Sequence, residues 1–306
     1  MSVILKDISK HFGNQKAVNN LSFEARPGQI LGFLGPNGAG KTTTMKMICC
    51  YIEPTEGTAE INGFDIRTSP LAVRKQIGYL AEHNPLYEEM YVKEFLQFVA
   101  SIHRIDSRVS RINDVIDITG LGHEQNKIIG TLSKGYRQRV GLAQAIMHDP
   151  EVLILDEPTS GLDMNQLVDI RKLIKELGRE KTVIFSSHIM QEVEALCDRV
   201  VIINNGSLVA NESIQNLSKV LSGRQIVSAQ FLEKNVSTVI FENMAGLTEI
   251  NIKDDKMFFT ANSGMDIRQD IFRIVVEHGL TLIELKQGEA TMEDIFRKLT
   301  KIPVDA

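Results

Sequence analysis

The chain has 306 residues, 43% of them hydrophobic, with 34 Lys plus Arg against 39 Asp plus Glu and a net charge of −5. That length allows more than one domain, and the acidic balance argues against nucleic acid as the main partner. No apolar run approaches the ~18 residues needed to span a bilayer, no secretory leader opens the N-terminus, and three cysteines suit a reducing compartment rather than a disulfide framework.

Val3–Leu5 and Leu21–Glu24 read as short strands, with a turn at Lys10–Asn14 between them. Phe12 sits at that turn. It is either a hydrophobic plug or an aromatic platform for a purine base. The apolar run Ile30–Leu34 follows, then Gly35-Pro36-Asn37-Gly38-Ala39-Gly40-Lys41-Thr42-Thr43, then a helix from Thr42 to Cys50. Strand, glycine loop and helix, with this spacing of glycines and lysine, form a phosphate-binding pattern. The glycines let several N–H groups turn inward as an anion nest, and the helix adds its positive N-terminal end. Lys41 is placed to reach the outer phosphates and the Thr42 hydroxyl to bind Mg²⁺. The stretch predicts a nucleoside triphosphate site.

Thr58–Ile61 reads as a strand closing at the hairpin signal Asn62-Gly63, and Ile77–Leu80 as a strand running into Ala81–Pro85. Two helices are expected between Val92 and Gly122. Phe95, Leu96, Val99 and Ile102 line the first, Ile112, Val115, Ile116 and Thr119 the second. Ser133 precedes another apolar-periodic run. It is either a plain helix cap or the start of a second phosphate-facing helix end. Val152–Leu155 has the continuous apolar character of a strand buried on both faces, and it ends in Asp156-Glu157. Ligands of such sheets lie beyond the C-terminal ends of the strands. Asp156 is therefore the candidate to hold Mg²⁺ with Thr42, and Glu157 the candidate general base for an attacking water. Thr182–Phe185 ends in Ser186-Ser187-His188, which puts His188 on the same edge, facing the γ-phosphate or the water.

In this order and spacing, these residues resemble the ATP-binding subunit of an ABC transporter over about residues 1–215. The resemblance implies an α/β P-loop ABC ATPase domain, with a RecA-like core, an antiparallel β subdomain and a helical subdomain. It implies ATP and Mg²⁺ as ligands. It implies a second ABC ATPase subunit (a copy or a related chain) and a separate multi-span membrane permease as partners, with the chain peripheral on the cytoplasmic face of the plasma membrane. Residue by residue, Phe12 resembles the adenine platform, Gly35–Thr42 the Walker A loop with Thr43 beside it among the ATP-binding residues, and Asp156 with Glu157 the Walker B end. Ser133, Lys134, Gly135 and Tyr136 fall in the signature that faces the partner's ATP. Ser160-Gly161-Leu162-Asp163 matches the loop that crosses the dimer interface, and His188 the switch histidine. Two departures stand out. The usual signature is Leu-Ser-Gly-Gly-Gln, whereas Lys134 replaces a glycine and Tyr136 the glutamine. Glu82 stands where the family has a Mg²⁺-binding glutamine; a carboxylate can still ligate the ion, with an added negative charge near the γ-phosphate.

Residues 216–225 read as a polar linker and 226–306 as a small α+β domain. Val227, Ala229 and Phe231 alternate as a strand, and Val236, Ile240 and Met244 have helical spacing. A strand around Ile250–Ile252, a turn at Asp254-Asp255, a strand Met257–Thr260, a helix Asp266–His278 and a strand Leu280–Leu285 follow. Thr291–Asp294 resembles a capping box opening a last helix. The order βαββαβα predicts a ferredoxin-like domain without a catalytic cluster. A tail ending in Ala290–Phe296 is similar to that of ABC-2-type export ATPases, and within that group the whole chain resembles most the subunit associated with bacterial gliding motility. Soluble ABC ATPases of ribosome or DNA usually carry paired domains or coiled coils, and importer tails are usually β-rich barrels. Neither pattern is visible.

Overall fold

A computed structural model of the chain describes residues 3–221, 225–234, 236–253, 255–261 and 266–289, with Glu293, Phe296 and Thr300 beyond them. Two compact units are present, Met1–Ile214 and Gln215–Ala306.

The first unit opens with a long antiparallel hairpin, β1 (Val3–Phe12) and β2 (Gln15–Ala25). These strands are longer than the sequence predicts. Asp7 and Asn20 take left-handed φ values of 49° and 50° and shift the register, which breaks the alternation that marks a strand. Phe12 is consequently the last paired residue of β1, opposite Gln15, rather than part of the turn. β3 (Ile30–Leu34) then feeds the glycine loop and α1 (Lys41–Ile48). β4 (Glu56–Ile61) and β5 (Phe64–Asp65) complete a four-stranded antiparallel sheet of order β2-β1-β4-β5.

α2 (Pro70–Gln76), β6 (Ile77–Leu80), α3 (Val92–Ile102), α4 (Arg108–Thr119) and α5 (Lys134–Ile146) follow. α3 buries Phe95, Leu96 and Val99, and α4 buries Ile112, Val115 and Ile116, so the periodicity read from the sequence is the packed face; Ile102 is exposed. Gly120 stops α4 at φ 64°. Next come β7 (Val152–Asp156), α6 (Met164–Gly178), β8 (Thr182–Ser187), α7 (Met190–Leu196), β9 (Arg199–Asn204) and β10 (Ser207–Ser213). They build a six-stranded sheet of order β10-β9-β3-β8-β7-β6, parallel except at the β9–β10 edge.

Every residue of β3, β7 and β8 is buried, as parallel interior strands require. The register pairs Leu34 with Ser187, Asp156 with Ser186, and Leu155 with Leu80. The C-terminal ends of four strands thus share one edge, and the glycine loop leaves from that edge.

The second unit begins in α8 (Ile214–Leu221). This corrects the linker expected at 216–225: Ile214 and Leu217 are three residues apart, Leu217 is buried, and β11 (Gln225–Phe231) starts at Gln225. β12 (Leu247–Lys253), β13 (Lys256–Ala261), α9 (Arg268–Glu277) and β14 (Leu282–Glu289) follow. The sheet order β12-β13-β11-β14, with every pairing antiparallel, interleaves its strands as split βαβ units do. The helix expected around Val236–Met244 is only a 3₁₀ turn, Thr238–Phe241. One turn suffices to bury Phe241 between Phe231 and Phe259, at ring-centroid distances of 6.1 and 4.9 Å. The capping box expected at Thr291–Asp294 lies outside the described residues apart from Glu293.

Candidate functional site

The loop between β3 and α1 needs its glycines for space as well as conformation. Gly38 and Gly40 have φ of 78° and 103°. A Cβ on Gly35 would stand 2.6 Å from the Ile203 carbonyl oxygen, and one on Gly40 2.5 Å from that of Ala17. Gly40 caps α1 without a side chain, so no side-chain oxygen claims the N–H groups of the first turn. A helix end left open in this way, with its positive pole at the glycine loop, suits an anion. Thr42 and Thr43 are half-buried in that turn. The Lys41 ammonium is buried and donates to the carbonyls of Gly35 (2.7 Å) and Pro36 (3.3 Å). It also lies 3.5 Å from Glu157 Oε1.

Asp156 ends β7 and is fully buried. It shares a strand face with Val152 and Ile154, which pack in one cluster with Met45, Met47 and Ile48 of α1. Its carboxylate therefore points to the loop side of the sheet. Oδ1 accepts a hydrogen bond from Ser186 Oγ (2.6 Å). Oδ2 is buried with no partner among the described residues. A buried carboxylate oxygen left open in this way fits a hard cation such as Mg²⁺, which prefers oxygen donors. Tyr79, on the neighbouring strand, has a buried hydroxyl whose pKa is pushed far up by burial and then by the negative charge of Asp156. Glu82 follows β6 and is exposed.

Glu157 turns back on the strand. Its φ is +49°, and its N–H donates to Ser186 Oγ (2.9 Å). The turn brings its carboxylate to Lys41 and to His188 Nδ1, at 3.1 Å from Oε1 and 3.0 Å from Oε2. Lys41, Glu157 and His188 thus form one cluster, with Asp156 reached through Ser186.

The signature turn stands apart from this cluster. Ser133 caps α5 by accepting the Tyr136 N–H (3.4 Å), and Gln166 Nε2 donates to the same Oγ (3.5 Å). The Gln166 carboxamide covers Gly135, where a Cβ would meet it at 2.5 Å. The Lys134 ammonium lies over Gly161, and Arg139 stands 5.9 Å from the Tyr136 ring. Asp163 caps α6 by accepting the Gln166 N–H at 2.9 Å. Among the described residues, no hydrogen bond or ion pair joins Ser133–Tyr136 or Ser160–Asp163 to the loop 35–43. Phe12 is 51% exposed, with Lys10 Nζ 5.3 Å from its ring centroid and held there by the Glu53 carbonyl (2.7 Å).

The family model described as ABC transporter matches residues 18–160. The bacitracin transport ATP-binding protein BcrA of Bacillus licheniformis is 36% identical over 303 residues, 98% of either chain. The chain belongs to the ABC transporter ATP-binding proteins. NatA of Bacillus subtilis, an ABC transporter ATP-binding protein, is 39% identical over 223 residues, 70% of this chain and 91% of that one. A solved ATP-binding subunit of an ABC transporter superposes with a TM-score of 0.65 at 28% identity, over 72% of this chain and 93% of that one.

This ABC subunit is accordingly an ATPase coupled to transport, with the P-loop ABC fold. Among the described residues, no helix is long and apolar enough to cross a membrane. Sequence reasoning did not single out three residues that contact the candidate site residues: Ser186, Gln166 and Lys10. Only Ser186 carried a signal, as the hydroxyl that a parallel pairing of β7 and β8 sets opposite Asp156.

Proposed function

We propose that this ABC subunit is the motor of an export system. It pairs with a second ATPase subunit around two MgATP and drives a separate membrane permease. The observation that carries the reading is the Lys41–Glu157–His188 cluster beside the open oxygen of Asp156. Glu157 is the base that takes a proton from the attacking water, and His188 holds that carboxylate in place. Lys41 shifts from Glu157 to the outer phosphates when ATP enters. Asp156, Thr42 and Glu82 are the residues that would hold Mg²⁺, which when bound offsets charge on the phosphates. Phe12 stacks on the adenine. Ser133–Tyr136 of one subunit caps the phosphates bound by the other, and Ser160–Asp163 crosses between them.

The likeness to a bacitracin transport protein covers 98% of the chain, second unit included, and supports transport as its task; the ABC-2 export type rests on the likeness of the tail sequence. A narrower role in gliding motility rests on overall sequence likeness alone, and the identity of the permease decides it. The test is pairing. Glu157→Gln with MgATP should shift from monomer to dimer in light scattering, alone or with a related subunit. A chain that stays monomeric with every candidate partner overturns the motor reading. Affinity capture that returns ribosomal RNA in place of a multi-span membrane protein overturns the transport half of it.

A further inference from the structure

We propose that Ser186 is a positioning residue of the ATPase site, its single hydroxyl fixing both Asp156 and Glu157. The proposal rests on the reading of Asp156 as the metal-holding carboxylate and Glu157 as the base.

Ser186 is fully buried at the end of β8, directly opposite Asp156 in the parallel register. A hydroxyl has one proton to give and lone pairs to accept with. The Glu157 N–H can only donate and an ionised Asp156 can only accept, so the direction of both bonds is settled. Ser186 Oγ–H goes to Asp156 Oδ1 at 2.6 Å, and the Glu157 N–H goes to Ser186 Oγ at 2.9 Å. Among the described residues, no other side chain donates to Asp156.

Two consequences follow. The first bond sets the rotation of the Asp156 carboxylate, so that Oδ2 is the oxygen left open for a cation. The second holds Glu157 in the left-handed conformation, φ +49°, that turns its carboxylate toward Lys41 and His188. Partners that orient a metal-binding carboxylate are part of the metal site in energetic terms. The neighbouring serine makes the contrast. Ser187 Oγ–H donates to Glu192 Oε2 (2.6 Å) and its oxygen accepts the Ile189 N–H (3.0 Å), so it serves α7 and not the carboxylates.

The experiment is direct metal binding on the full chain. Mn²⁺ replaces Mg²⁺, a non-hydrolysable ATP analogue is bound, and free Mn²⁺ is read by electron paramagnetic resonance. Ser186→Ala should weaken Mn²⁺ binding by about 10- to 100-fold. Ser186→Thr, which keeps the hydroxyl, should stay within about threefold of wild type on that same scale. Should Ser186→Ala fail to fold, Ser186→Cys, with its weak S–H donor, takes its place with the same expectation. Asp156→Asn separates the two levels of the argument. If it weakens Mn²⁺ while Ser186→Ala or Ser186→Cys binds as wild type, or if Ser186→Thr is as weak as the alanine variant, the role of Ser186 is overturned. If Asp156→Asn itself binds Mn²⁺ normally, the metal reading beneath the proposal is overturned.

Discussion

Replacing Glu157 by Gln keeps the shape of the side chain and removes its charge. In the structure that charge faces Lys41 Nζ at 3.5 Å, with both side chains 7% exposed. At an effective dielectric of about 20, the attraction is worth about 5 kcal/mol before desolvation. The cost of burying the two ions offsets most of it and leaves about 1–2 kcal/mol net. ATP must break this contact to recruit Lys41, so the variant should bind ATP about 5- to 30-fold more tightly. Loss of the base should lower turnover by about 10²- to 10⁴-fold. Equilibrium binding of ATP and steady-state phosphate release measure the two effects separately. Near-normal turnover would remove Glu157 from the role of base. Collapsed turnover with unchanged affinity would show that Lys41 is not held against phosphate by this carboxylate.

Alanine at Gly40 must adopt φ 103° and meet the Ala17 oxygen at 2.5 Å, whereas at Gly38 the space is open, so Gly40→Ala should lose at least about tenfold in ATP affinity and Gly38→Ala less. Nucleotide titration compares the two, and equal losses would mean that close approach to the strand is irrelevant. Phe12→Ala should raise the KM for ATP with little change in kcat, since stacking on a base is worth about 1–3 kcal/mol, and Phe12→Tyr should restore it. An unchanged KM would mean that the ring is not the platform. His148 stacks on His103 at a centroid distance of 4.1 Å, and burial, then the neighbouring His103, pushes its imidazole down to about 4. The unfolded group titrates near 6.5. The unfolded chain therefore binds the extra proton between these values, so this contribution is complete above about pH 6.5 and is lost as pH falls toward 4. The loss is about 2 kcal/mol once partial exposure is allowed for. Urea midpoints should drop over that window, and His148→Gln should flatten the fall; a variant with the wild-type pH slope would refute the assignment.

The edge of the parallel sheet was legible in the sequence because buried parallel strands leave a coarse mark. Ile30–Leu34, Val152–Leu155 and Val183–Phe185 are apolar throughout, and each ends where the glycine loop or polar residues begin. Once these runs are taken as neighbouring parallel strands, Lys41, Asp156, Glu157 and His188 must converge. What was not legible depends on register and on single bonds. Nothing in Ser186-Ser187 tells which serine faces the carboxylates; strand alternation decides it only when the partner strand is known. Gln166 looks like any exposed helix residue until α6 is set beside α5. The hairpin β1–β2 was undercounted because Asp7 and Asn20 interrupt its alternation, and α8 was hidden by polar residues around Ile214 and Leu217.

The two halves of the proposed site differ in how their positive charge is satisfied. In the glycine loop, Lys41 is neutralised within the chain, by Glu157 and by two carbonyls. At the signature turn, Lys134 sits in the first turn of α5, where the helix dipole disfavours a cation. It lies over the Gly161 backbone and has no carboxylate partner among the described residues. A lysine where the family has glycine therefore places an uncompensated cation beside the loop that is proposed to cross to the second subunit. Under the pairing proposed above, the anion that balances it belongs to the other molecule: the triphosphate in the facing loop, whose own lysine has by then left Glu157. Under that pairing, the departure at Lys134 is compatible with the proposed role of the signature and adds an exposed charge that water balances until the second half of the site is loaded.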